Sequence, residues 1–221
     1  MKLLIANLKM NLNSIKDVKN YQEQMNNYKS DLVIAPQNIY LENFIKKGFT
    51  VASQNSSNYE SGPHTGEISP KSLKDMNVKY TIIGHLEIRK KYKDENNYIN
   101  DKVELSLKNK LITILCVGEN EKEDDAISEV ENQLKEITPN DNLIISYEPA
   151  WAVGKDKTPD NIELERMIKY IRNKGHKKVL YGGSVNDNNI EKLNKLNIDG
   201  FLIGTAALDK EKISKIIEVV K

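Results

Sequence analysis

Short apolar runs alternate with longer stretches in which apolar residues return every three or four positions, from one end of the chain to the other. The short runs read as β-strands at residues 3–7, 31–35, 49–53, 80–83, 111–115, 143–147, 178–181 and 200–203. They are apolar almost without interruption, which suits strands buried on both faces. The longer stretches predict helices at 15–28, 39–47, 70–76, 95–109, 121–135, 160–173, 187–195 and 209–220. In the first of them Ile15, Val18, Tyr21, Met25 and Tyr28 stand at helical spacing. Pro36 ends a strand, Pro70 opens a helix, and Gly48 and Gly175 suit helix ends.

Eight strands with helices between them imply an α/β fold with a parallel sheet. Such a chain can form an open doubly wound sheet or a closed (β/α)8 barrel. A dinucleotide-binding sheet needs a Gly-rich turn after an early strand. The first turn here, Asn7-Leu8-Lys9-Met10-Asn11, has no glycine. Gly182-Gly183 and Gly204 follow the last two strands, where barrels commonly build a phosphate site. The barrel is therefore the expectation, as one domain over residues 1–221 with trimmed helices and loops. No linker or long-period repeat interrupts it.

Charge changes this picture little. Lys and Arg number 33 against 32 Asp and Glu, a net charge of +1. No basic footprint for nucleic acid or an anionic membrane results. No run approaches the roughly 20 apolar residues of a membrane span. Cys116 is the one cysteine, which excludes an internal disulfide and a Cys-based metal site. No metal-ligand spacing links His85 to His64 or His176, and no cofactor motif is present. A cytoplasmic location is expected.

In a barrel, functional side chains stand at the C-terminal ends of strands. Glu148 ends the sixth, followed by Pro149, which cannot donate to a ladder, then Trp151 and Gly154. A carboxylate between an apolar strand and a hinged loop is a candidate general base. It can equally cap a helix or pair with a lysine. Asn7 and Lys9 end the first strand and suit an anion with a developing oxyanion. An ordinary polar strand end reads the same way. His85 follows the fourth strand at the start of a possible helix, where a positive helix end would keep it neutral. A satisfied core histidine is the alternative. Gly182-Gly183-Ser184 and Gly204-Thr205 are turns whose amides can face an anion. Cys116 reads as a small buried group.

These motifs, in order, resemble the triosephosphate isomerase family over essentially the whole chain. They are Asn-x-Lys-Met-Asn at 7–11, Thr-Gly-Glu-Ile-Ser at 65–69, Ile-Gly-His-x-Glu at 83–87 and Cys-Val-Gly-Glu at 116–119. Tyr-Glu-Pro-x-Trp-Ala-Val-Gly at 147–154, Tyr-Gly-Gly-Ser-Val at 181–185 and Asp-Gly-Phe-Leu-Ile-Gly at 199–204 complete the set. The resemblance implies interconversion of dihydroxyacetone phosphate and glyceraldehyde 3-phosphate, in glycolysis and gluconeogenesis, with no metal or cofactor. It implies Glu148 as base, His85 as electrophile, and Lys9 and Asn7 as partners of the enediolate. Gly154, Ser184, Gly204 and Thr205 would hold the phosphate, with Glu87 and Gly183 in support. It also implies a homodimer through the 54–69 loop around Thr65. The chain departs from the family at Leu86 and Ile88, where Ser and Arg are usual, and at Lys155-Asp156 and Thr205. A left-handed backbone at Thr205 would be costly. Two other readings stand beside this one: a non-catalytic phosphate-binding or interaction protein on the same barrel, and another phosphosugar enzyme such as an aldolase.

Overall fold

The computed structural model describes residues 2–92, 95–122, 124–155 and 157–221. Eight strands close into an all-parallel barrel in chain order, with the first strand pairing the last. They are β1 (Leu3–Asn7), β2 (Val33–Ala35), β3 (Thr50–Ser53), β4 (Tyr80–Ile83), β5 (Ile112–Val117), β6 (Leu143–Tyr147), β7 (Lys178–Tyr181) and β8 (Gly200–Ile203). Around them lie α1 (Ile15–Gln24), α2 (Leu41–Lys46), α3 (Pro70–Asp75), α4 (Leu86–Tyr92) and α5 (Asn96–Lys108). The outer layer continues with α6 (Ala126–Leu134), α7 (Asn161–Asn173), α8 (Ile190–Leu193) and α9 (Lys210–Val220). Among the described residues no helix is long and apolar enough to cross a membrane.

Strand alternation divides the apolar residues into two cores. Ile5, Val33, Ala52, Ile82, Ile114 and Leu202 fill the barrel. Leu4, Ile34, Val51, Ile83, Ile145 and Phe201 face outward against the helices. The near-continuous apolar strands thus follow from burial on both faces.

Helix starts are set by side-chain caps. Ser14, Ser69, Asp125 and Asp209 accept from first-turn amides of α1, α3, α6 and α9. Asp160 and Glu163 form a reciprocal capping box on α7. Each such cap contributes about 1 kcal/mol.

The differences from the expected boundaries have local causes. Asp31 and Leu32 give their amides to Tyr28, so β2 begins only at Val33. The first helix stops at Gln24 and a separate 3-10 turn takes Asn26–Tyr28. Asp125, as cap, holds α6 back to Ala126. Leu111 bonds back to Ser106, whereas Cys116 and Val117 pair with Ser146 and Tyr147; the fifth strand is therefore shifted C-terminally. The helix expected over 187–195 shrinks to α8 because Asn186 and Asn189 bond each other's backbone, and Asn186 also takes the Asn188 amide. Such side-chain bonds compete with helix formation.

Candidate active site

The barrel's inward alternation carries past the strand ends and delivers polar groups to one mouth. On β1 it runs from Ile5 to Asn7, and on β6 from Ile144 through Ser146 to Glu148. Glu148 is 3 % exposed. Its amide donates to Val117 O at 2.7 Å, which ties the base of its side chain to β5.

His85 is also buried, in the turn between β4 and α4. The Glu87 amide donates to its Nδ1 at 3.3 Å. A ring nitrogen that accepts carries no proton, so this contact selects the Nε2–H tautomer. Nε2 stands 3.4 Å from Glu148 Oε2. Arg89 braces the same turn, donating to Gly84 O at 2.7 Å and Cys116 O at 3.2 Å.

Lys9 has a left-handed backbone, φ 49°. That conformation is uncommon for a side chain with a Cβ and costs on the order of 1 kcal/mol or more. It is held by two amides: Lys9 N donates to Asn7 Oδ1 at 3.1 Å, and Gln54 Nε2 donates to Lys9 O at 2.8 Å. The Lys9 ammonium pairs with Glu87 Oε1 at 2.7 Å, while Glu87 Oε2 lies 3.7 Å from His85 Nδ1. Glu87 therefore holds the cation through its carboxylate and the imidazole through its amide; its second oxygen, 3.7 Å from an accepting nitrogen, makes no bond to the ring.

Asn7, Lys9, His85 and Glu148 line one cavity of about 200 Å³ together with Gly154, Gly183, Ser184, Gly204 and Thr205. Glu87 does not line it and acts through its two neighbours. Thr205 opens a 3-10 turn and is not among the left-handed residues, so the expected strain there does not arise. Gly154 is left-handed, φ 68°, with open space where a Cβ would stand, so its need for glycine is conformational. Before it, Trp151 Nε1 donates to Glu119 Oε1 at 2.6 Å, and the Tyr147 hydroxyl donates to both oxygens of the same buried carboxylate. Burial, then the Glu119 charge, pushes the Tyr147 phenol far above its usual range, so it stays a donor. The start of the loop is thus pinned to the end of β5. Asp156 lies outside the described residues. Among the described residues no three of His, Cys, Asp and Glu are grouped as a metal ion would require.

The model of one family, described as triosephosphate isomerase, matches residues 2–220. The chain belongs to the triosephosphate isomerase family. It is 38% identical over 240 aligned positions to the triosephosphate isomerase of Mesomycoplasma hyopneumoniae strain 232, covering 98% of each chain. It is equally identical, at 38%, to that of Ureaplasma parvum serovar 3, with 100% of both chains covered. The triosephosphate isomerase of Buchnera aphidicola subsp. Cinara cedri is 37% identical, with 98% of this chain and 97% of that one covered.

Two departures from the triosephosphate isomerase pattern now have positions. Leu86 lines a separate cavity of about 230 Å³ that also touches Glu148, Cys116 and Gly118. Ile88 lines a groove of about 920 Å³ beside the 54–69 loop. Sequence reasoning missed two residues of this site, Ser146 and Lys212, and left Gln54 and Gly182 without the roles their contacts give them. Gln54 stands at the C-terminal end of the third strand, where functional side chains are expected, whereas Ser146 reads as a small strand residue. Lys212 belongs to α9 yet lines the same cavity. Gly182 leaves room for Glu148, since a Cβ there would lie 2.6 Å from Glu148 Cγ. Gly182 is expected from the sequence as part of the anion-facing Gly-Gly turn, not as the space that Glu148 occupies.

Proposed function

We propose that this barrel performs the isomerisation of its family with Glu148 as the general base and His85 as the electrophile. The family's reaction interconverts dihydroxyacetone phosphate and glyceraldehyde 3-phosphate. The observation that carries the assignment is Glu148 Oε2 and His85 Nε2, 3.4 Å apart, on a cavity that Lys9 and Asn7 also line. Glu148 takes the carbon-bound proton and returns it to the adjacent carbon. His85, through Nε2–H, polarises the carbonyl and moves protons between the two oxygens. These are the roles established for triosephosphate isomerase itself. Lys9 adds positive charge and Asn7 a hydrogen bond to the enediolate, whose charge develops during the reaction. The main-chain amides at Gly154, Gly183-Ser184 and Gly204-Thr205 are the proposed donors to the phosphate.

The test is isomerase turnover of the full chain and of Glu148→Asp, in a coupled assay from glyceraldehyde 3-phosphate. The wild type turns over, and shortening the base lowers kcat roughly 100- to 1,000-fold, within the range for a general base. Equal rates would remove Glu148 from the reaction.

The 54–69 loop is proposed as a homodimer contact. Thr65 at its tip is exposed, and Met10 and Ile39, on the loops after β1 and β2, are 75% and 74% exposed. Apolar surface of this kind on neighbouring loops favours a partner. The groove beside the loop, lined by Asn58, Tyr59, Ile88 and Tyr98 among others, gives that partner a receptor. Sedimentation is expected to give a dimer; a fully active monomer at all concentrations would refute it. A cytoplasmic location and a small-molecule substrate, with no nucleic-acid or membrane partner, complete the reading.

A further inference from the structure

We propose that Ser146 is a positioning residue for the catalytic base: its hydroxyl holds one oxygen of Glu148 so that the other faces His85 and the substrate cavity. The proposal rests on the reading of Glu148 as base. Ser146 has no exposed surface and sits on β6 two residues before Glu148, on the same inward face. Its partners in register are Cys116 on β5 and Leu180 on β7. A hydroxyl in that apolar setting is costly unless it is hydrogen-bonded, and an alanine would fill the position without that cost. The hydroxyl donates to Glu148 Oε1 at 3.0 Å. An ionised carboxylate only accepts, so the direction of this bond is fixed.

The two oxygens of Glu148 are thereby assigned. Oε1 faces the hydroxyl, and Oε2 lies 3.4 Å from His85 Nε2. Two further groups narrow the space. A Cβ on Gly182 would stand 2.6 Å from Glu148 Cγ, 2.8 Å from Cδ and 2.9 Å from Oε1. Gly182 is not in the left-handed region, so glycine is required there by room for the carboxylate and not by backbone conformation. On the other flank the Cys116 thiol is pushed well up by burial first, then by the Glu148 charge and a hydrogen bond to that carboxylate. It stays protonated and adds a weak donor. The side chain that must reach a carbon-bound proton is thus held from below by the strand that carries it. A base held in reach of its proton lowers the barrier by orientation, and a hydrogen bond to a charged acceptor is strong enough to hold it.

The test uses the full chain and compares Ser146→Ala, Ser146→Thr and Ser146→Ala in a Glu148→Gln background. Ser146→Ala is expected to lower kcat about tenfold, equal to about 1.4 kcal/mol. KM stays within about twofold, because the change removes orientation of the base and no substrate contact; the melting temperature falls by no more than one unpaired acceptor on Glu148 costs. Ser146→Thr restores the hydroxyl and most of kcat. Where the added methyl of Thr prevents folding, the double-mutant cycle decides. Once the Glu148 carboxylate is gone, Ser146→Ala has no further effect. The proposal is overturned by a wild-type kcat in Ser146→Ala, or by the same loss in both backgrounds. A wild type without turnover, or a Glu148→Asp variant at full rate, instead sinks the base assignment, and this proposal with it.

Discussion

The barrel has a hollow, charged mouth at each end, and the two use their charges differently. At the N-terminal end a cavity of about 480 Å³ is lined by Lys2, Asp31, Lys79, Lys178 and Asp199 above Ile112, Ile144 and Leu180. Several of these charges are spent on the frame. Lys2 donates to Asn194 O at 2.7 Å and Leu196 O at 3.0 Å. Asp31 pairs with Lys221 at 3.0 Å. Asp199 takes Arg172 at 2.9 Å and the Val179 amide at 2.8 Å. At the C-terminal end the contacts form chains that finish on the cavity: Lys9 to the Glu87 carboxylate and the Glu87 amide to His85, and Ser146 to Glu148. Charge at a barrel mouth therefore says little by itself. What separates the ends is whether a run of contacts turns back into the frame or finishes on the cavity.

Substitutions at the two ends should separate these two uses of charge. The largest effect concerns Glu148→Asp, whose loss of turnover should leave the melting temperature unchanged; joint loss of both would make the upper chains structural like the lower ones. Next is Asp199→Ala. It strands the Val179 amide and breaks a pair that is itself partly exposed, 29% and 40% for the two side chains. The ion pair is discounted for that exposure, and the cost is about 1–2 kcal/mol of stability with kcat intact. A drop in kcat at unchanged denaturation midpoint would erase the distinction.

The smallest effect is a slope with pH. His176, in the turn from α7 to β7, is 3 % exposed, and burial holds its pKa below the ordinary 6.5. Below 6.5 the unfolded chain takes up a proton before the folded one does, so stability falls as pH falls through that region and is fully present above it. Melting temperatures measured from neutral pH down to about pH 5 should decline less steeply for His176→Gln than for the wild type. An identical slope would mean that this imidazole does not contribute.

The fold was largely legible in the chain. β6, β7 and β8 occupy the residues expected, because a parallel barrel buries both faces and leaves unbroken apolar runs. The short α8 was not, because paired asparagine turns and helix periodicity look alike over so few residues. Lys110 was also hidden: it takes a left-handed backbone, φ 59°, right after α5 with no glycine to announce it. In the site, Asn7, Lys9, His85 and Glu148 could be named because strand ends are where barrels keep their chemistry. Ser146 could not. A serine in an apolar strand reads as filler until closure of the sheet shows which way it points.

That alternation has one more consequence. Ser146 and Glu148 sit two apart on a strand locked to β5 through five successive register pairs, Thr113 with Leu143 to Val117 with Tyr147. A slip of one residue would turn both toward the helices and put Tyr147 inside. The base and its holder are therefore misplaced together or not at all. Turnover acts as a checksum on assembly: a chain that closes its barrel out of step is silent, and catalytic activity counts only the molecules in which β6 has found its place.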